Sequence, residues 1–277
     1  MLTLKGVIMD TDGEASAFAE LRDHARVVYG AEAEGYDKGR PDYPEEVYET
    51  LRGRCGLTPG KRVLEIGPGT GQVTQHLLAA GADVVAVEPD PGFANYLARA
   101  YPGLRIVPHA FEDAELADAG NDFVVAGTSF HWLDQPRALS IVGRILRPGG
   151  WFAMWWTIFS DPTRPDPLIT TASELLGYDP GNQRGGTSFQ LDEHARLHDL
   201  ERHGGLVDLH ARRIPWNLPM NAARTRALFA TQMSIRRLPA PEQSHALDTI
   251  AGLIDQRFDG TDNRPLLTAL YRGRKPN

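Results

Sequence analysis

Residues 61–74, Lys-Arg-Val-Leu-Glu-Ile-Gly-Pro-Gly-Thr-Gly-Gln-Val-Thr, constrain the fold of this chain more than any other stretch. An apolar run at residues 63–66 carries one acid, Glu65, and then breaks into three alternating glycines, Gly67, Gly69 and Gly71. A helical pattern follows through Val73, Leu77 and Leu78. This pattern predicts a buried parallel strand turning tightly into a helix, the place where α/β sheets bind nucleotide-like ligands. Glycine suits the turn because a ligand can lie against bare backbone, where a Cβ would block its approach or forbid the conformation.

Residues 83–90, Asp-Val-Val-Ala-Val-Glu-Pro-Asp, supply the second half of the signal. They follow a helix-length connection and end in a carboxylate, Glu88, followed by Pro89. An acid at the tip of a second strand is placed to accept hydrogen bonds from both hydroxyls of a ribose. Bonds of this charge-assisted kind contribute about 1.5–3 kcal/mol each. The glycine spacing separates two ligand classes. A dinucleotide fingerprint reads G-x-G-x-x-G, and Gln72 stands where its third glycine belongs. A diphosphate is therefore the poorer fit, which disfavours a nicotinamide-dependent oxidoreductase.

Four more segments are ordered around this pair. They are residues 36–44 (YDKGRPDYP), 109–114 (HAFEDA), 121–132 (NDFVVAGTSFHW) and 145–152 (ILRPGGWF). Together with the glycine loop and the acid-ended strand, they resemble the class I S-adenosylmethionine-dependent methyltransferases, and more narrowly the small-molecule, type 11-like branch. The resemblance covers residues 36–156 and reads 109–114 as the end of the third strand, 121–132 as strand four running into the active-site loop, and 145–152 as the helix, Pro-Gly-Gly turn and fifth strand that close the segment. It implies an α/β fold: a doubly wound, Rossmann-like sheet of seven strands with an antiparallel last strand, an N-terminal helical segment and a C-terminal helical cap.

The resemblance also implies roles for particular residues. The loop formed by Glu65, Gly67, Gly69 and Gly71 would hold the methionine portion of S-adenosyl-L-methionine. Glu88, followed by Pro89, would hold the ribose, and Phe111 and Glu112 would flank the adenine. Ser129, at the end of strand four, joins the cofactor-binding set. Tyr36 and Arg40 would close over the methionine end; Arg40 has two further readings, as the binder of an acidic acceptor and as part of a structural Arg-Pro turn. His131 follows strand four where the bound methyl group should face. An unperturbed imidazole titrates near neutrality, so His131 is the candidate general base, with pocket wall as the alternative.

Composition narrows the partners. The chain has 277 residues with 42% hydrophobic content, enough for a full core in one or two domains. A net charge of −7 creates no global attraction for nucleic acid, and short basic clusters such as Arg212-Arg213 and Arg236-Arg237 read as solvated faces. The single cysteine, Cys55, cannot form an internal disulfide and suits a reducing compartment. The most apolar stretch, residues 151–159, is too short to span a bilayer, and the N-terminus shows no basic-then-apolar secretory pattern. The expectation is a cytoplasmic protein, monomeric or homodimeric, acting on a small-molecule methyl acceptor without nucleic acid, membrane or metal.

Beyond strand five the texture changes. Residues 160–190 hold several Pro and Gly turns around one short helix near 169–176. Residues 191–203 have helical spacing, 206–218 alternate as a strand, 222–233 and 241–258 are helical, and 267–272 form the last strand. The expected layout is a helical segment at 1–44, a cofactor-binding core at 45–160, and at 161–277 the remaining strands with cap insertions (161–205 and 219–262) in the same domain.

Competing motifs are weaker. Residues 7–14 (VIMDTDGE) resemble the opening of haloacid-dehalogenase-type phosphatases, but Glu14 replaces the expected threonine. His194 and His198 have zinc-compatible helical spacing without the H-E-x-x-H glutamate, so exposed polar positions are the simpler reading. The resulting expectation is methyl transfer to oxygen or nitrogen of a small, specialised-metabolism intermediate, with a non-catalytic S-adenosylmethionine binder as the second hypothesis.

Overall fold

The computed structural model describes residues 33–176 and 188–277. The motif at residues 7–14 and the helical pattern at 15–29 lie outside the described residues, as does 177–187.

Helices α1 (Ala33–Gly39) and α2 (Glu45–Cys55) precede the sheet. Strand β1 (Arg62–Ile66) leads through the glycine loop into α3 (Thr74–Ala79), and β2 (Asp83–Val87) leads into α4 (Pro91–Ala100). Strands β3 (Arg105–Val107) and β4 (Asn121–Gly127), helix α5 (Gln135–Ile145) and strand β5 (Leu146–Ile158) complete the parallel part. Then come α6 (Pro167–Leu176), α7 (Glu193–Arg202), β6 (Val207–Met220), α8 (Ala222–Ala230), α9 (Met233–Arg236), α10 (Ala240–Arg257) and β7 (Asp262–Arg274).

The sheet order is β3-β2-β1-β4-β5-β7-β6. Strands β1 to β5 pair in parallel, while β7 is antiparallel to both β5 and β6. This is the expected seven-stranded, doubly wound sheet. The last strand inserts between β5 and β6, which leaves β6 at the edge. The third strand ends at Val107, before the predicted segment, and residues 111–113 form a short 3₁₀ turn. Pairing of β4 with β5 jumps from Asn121↔Leu146 to Phe123↔Trp151, so the predicted Pro-Gly-Gly turn bulges out of the ladder.

Strand alternation sorts side chains into two cores, one on each face of the sheet. Val124, Phe152, Met154 and Trp156 enter one; Phe123, Val125, Ala153 and Trp155 enter the other. Helix α4 begins at Pro91 behind Asp90, whose carboxylate accepts from Phe93 N–H at 2.9 Å. That cap uses two N-terminal signals together, a carboxylate at the cap and proline just inside the helix.

A third apolar cluster forms the cap. Leu168, Met220, Phe229, Ile250, Ile254 and Leu266 bring α6, β6, α8, α10 and β7 together. A buried ion pair pins this layer: Arg264, fully buried, contacts Asp166 Oδ2 at 3.0 Å and also donates to the Phe159 carbonyl. Arg164 binds Asp161 Oδ2 at 2.6 Å and the carbonyls of Trp216 and Leu266 at 2.7 Å. The segment leaving β5 is thereby tied to the β6–β7 pair.

Candidate active site

A cavity of about 300 Å³ opens at the carboxyl ends of β1, β2 and β4, where open α/β sheets place ligands. Of the twelve residues singled out in the sequence, Tyr36, Arg40, Gly67, Gly69, Glu88, Pro89, Phe111, Ser129 and His131 line it. Glu65, Gly71 and Glu112 lie outside its wall.

The loop after β1 owes its shape to positive backbone angles. Gly69 (φ +61°) has open space where a Cβ would stand, so its backbone faces the cavity with nothing in front of it. Gly71 (φ +93°) has a packing reason instead, because a Cβ there would run into the Tyr101 ring. Glu88 is 4% exposed and joins the two strand ends: Oε2 accepts from Gly69 N–H at 3.0 Å and Oε1 from Asp90 N–H at 2.9 Å. A buried carboxylate is thus held by backbone donors at the tip of β2, with the bare loop of β1 beside it.

Glu65 sits beneath that loop rather than in it. Thr74 Oγ1 donates to its Oε2 at 2.6 Å, and burial raises its carboxyl to about 8, with the Glu88 charge acting in the same direction. Ser129 donates to the Ile66 carbonyl, locking the end of β4 to the end of β1. Glu112 Oε1 accepts from Asp134 N–H at 3.1 Å; its Oε2 is buried and has no partner among the described residues.

The second wall comes from the N-terminal helices and the cap. The Tyr36 ring meets Phe93 edge-on at 5.3 Å. The Arg40 guanidinium lies 5.1 Å from the Tyr36 ring centre and 5.0 Å from that of Phe159. Its Nη2 donates to the Thr231 carbonyl at 3.1 Å, while Nε is buried without a partner. Among the described residues Arg40 pairs with no carboxylate.

His131 belongs to the 3₁₀ turn Phe130–Trp132 that follows β4. Trp156 Nε1–H donates to His131 Nδ1 at 3.0 Å. Indole is a donor only, so Nδ1 must be the acceptor, and the neutral ring carries its proton on Nε2. Burial pulls the imidazole down to about 4, helped by the Arg40 charge, which keeps it neutral at pH 7.

Several lining residues had no assigned role in the sequence. Tyr43 lies within the YDKGRPDYP motif; its hydroxyl donates to Thr128 Oγ1 at 2.8 Å, and burial raises its phenol above the ordinary range. Thr128 has φ +53°, a conformation unusual for a β-branched residue, and is held there by Trp155 O accepting from its N–H at 2.7 Å. Thr157, Phe159 and Gln190 also line the cavity and carry no local motif, whereas Trp156 belongs with Trp151 and Trp155 to a tryptophan cluster that the sequence reads as core and pocket wall. His194 and His198 face each other along α7 with rings 6.4 Å apart, away from this cavity.

Comparison with known proteins agrees with the geometry. Residues 64–154 match the family described as a methyltransferase domain. The chain is 35% identical over 153 residues to an uncharacterized methyltransferase of Mycobacterium tuberculosis, covering 54% of this chain and 59% of that protein. It thus spans about three-fifths of that curated relative's length. An uncharacterized methyltransferase of Schizosaccharomyces pombe is 27% identical over 246 residues, covering 87% of this chain and 94% of that protein. Among solved structures, a putative methyltransferase from an antibiotic biosynthesis pathway of Anabaena variabilis superposes with a TM-score of 0.57 at 16% identity, over 84% of this chain and 98% of that one. Residues 64–154 thus resemble a methyltransferase domain. The whole described chain carries its Rossmann-like fold with the antiparallel last strand.

Proposed function

We propose that this protein transfers a methyl group from S-adenosylmethionine to oxygen or nitrogen of a small organic metabolite, an intermediate of specialised metabolism, in the cytoplasm. The observation that carries this reading is the juxtaposition of the bare Gly69 backbone with the buried Glu88 carboxylate at the mouth of one covered cavity. The ribose hydroxyls would donate to the Glu88 carboxylate, and the loop of Gly67 and Gly69 would take the amino-acid end. Pro89 and Phe111 form the apolar wall for the base, with Glu112 behind it; Ser129, Glu65 and Gly71 hold the loop in shape.

When bound, the cofactor supplies a methyl group already activated by the positive charge on its sulfur. The protein's task is then to position the acceptor and exclude water. Among the described residues, 33–44 and the cap insertions pack over the core at 45–160 in one domain, and the protein acts as a monomer or homodimer. A cavity of about 300 Å³ with aromatic walls suits a small molecule rather than a nucleic acid. Equilibrium dialysis with S-adenosylmethionine tests the foundation. We expect saturable uptake, followed by transfer of labelled methyl to an acceptor in a metabolite panel. Absence of uptake by folded protein refutes the reading, and uptake without transfer to any acceptor points to a binding protein instead.

A further inference from the structure

The Trp156–His131 hydrogen bond decides what kind of acceptor this cavity serves. With Nδ1 taken by an obligatory donor, the imidazole turns an N–H edge, not a lone pair, away from Trp156. Among the described residues no partner satisfies that Nε2–H, and the ring lines the cavity. Accepting a proton at Nε2 would require the ring to switch tautomer and abandon Trp156. Other polar groups of the wall already have partners within the protein. Glu88 and Asp90 are engaged with backbone N–H groups, and Tyr43 donates to Thr128. Arg40 adds a positive charge to the same wall, with a buried, unpartnered Nε and no carboxylate partner among the described residues. Such a cation, clamped between two aromatic rings, is poorly hydrated and suited to an anion.

Resting on the methyl-transfer reading above, we propose that the acceptor is the carboxylate of a small acid with an apolar or aromatic body, held by Arg40 and by His131 acting as a hydrogen-bond donor. The candidate base of the sequence becomes a positioning donor. A carboxylate has already lost its proton in water at pH 7, so no base is needed. One carboxylate oxygen forms the new C–O bond to the methyl carbon of the sulfonium donor; the C–S bond breaks and its electron pair stays on sulfur. The products are a neutral methyl ester and the neutral thioether, with no proton released. Aromatic walls from Tyr36, Trp132, Trp156 and Phe159 then select the body of the acid.

The test begins with calorimetric binding of S-adenosylhomocysteine, whose failure sinks the methyl-transfer reading itself. On the loaded protein, three probes sharing one body are then titrated: 3-phenylpropanoate, 3-phenylpropan-1-ol and 3-phenylpropan-1-ammonium. We expect the carboxylate to bind at least about 10-fold tighter than either other probe. Arg40→Met should erase the preference and Arg40→Lys should retain part of it. Long-range ¹H–¹⁵N spectra at pH 7 should show His131 as the neutral Nε2–H tautomer. Equal affinity for the three probes, no binding by any of them, or an Nδ1–H tautomer overturns the proposal while leaving cofactor binding untouched.

Discussion

The two halves of the sheet achieve their shape by different means. From β1 to β4, each site feature is carried by a few consecutive residues: a glycine loop after one strand, an acid after the next, an aromatic turn after the fourth. From the end of β5 onward, the contributing residues are far apart in sequence. Arg40 meets Thr231, Arg264 meets Asp166, and Trp156 meets His131. On the proposed reading, the cofactor side depends on backbone conformation and short-range signals, whereas the acceptor side depends on pairs that only the folded chain brings together.

The largest expected effect breaks the acceptor half. Arg264→Leu leaves the buried Asp166 carboxylate without its partner, and removal of one member of such a pair typically costs about 3–5 kcal/mol. Denaturant unfolding should show this loss. A cost below about 1 kcal/mol would mean that apolar packing alone holds the cap.

The cofactor half is challenged by Glu88→Ala. Loss of a charge-assisted contact should weaken S-adenosylmethionine binding by at least ~1.5 kcal/mol in calorimetry. Unchanged affinity would remove Glu88 from the ribose site.

A pH dependence sharpens the contrast further. The folded carboxyl of Glu65 titrates at about 8 against an ordinary 4.5. Its protonated form is the one the fold favours. The associated stability is complete below pH 4.5 and is lost as pH rises through about 8, because the folded chain keeps a proton that the unfolded chain has released. Within that window the slope approaches ~1.4 kcal/mol per pH unit. Glu65→Gln should flatten the fall in thermal stability between pH 5 and pH 8, while the same experiment on a cap variant keeps it. Parallel slopes for wild type and Glu65→Gln would show that Glu65 is ionised in the fold.

Much of the cofactor half was legible in the sequence. Gly67, Gly69 and Glu88 could be placed because strand, turn and helix signals lie next to them, and the structure brings all three to one cavity. The strand at 206–218 was legible from alternation and the last strand, at 267–272, from its apolar run after the helices, although both extend further, to Met220 and from Asp262. The individual reasons for the glycines were not legible: Gly71 answers to Tyr101, thirty residues away, and Gly69 to open space. Glu65 belongs to the same motif yet lies beneath the loop, since side chains alternate along β1 and the sequence does not say which face meets the ligand.

Local order, then, was settled by the chain itself: apolar alternation, glycine where the backbone turns left-handed, and an acid at a strand tip are properties of neighbouring residues. The identity of the sheet and the position of the glycine loop follow from them. The chemical character of His131 did not. Its ring became a donor only because β5 carries Trp156 alongside the turn after β4, and it stays neutral because burial and the Arg40 charge disfavour its protonation. Tautomer and charge respond to hydrogen-bond partners and burial, and those exist only once distant segments have packed.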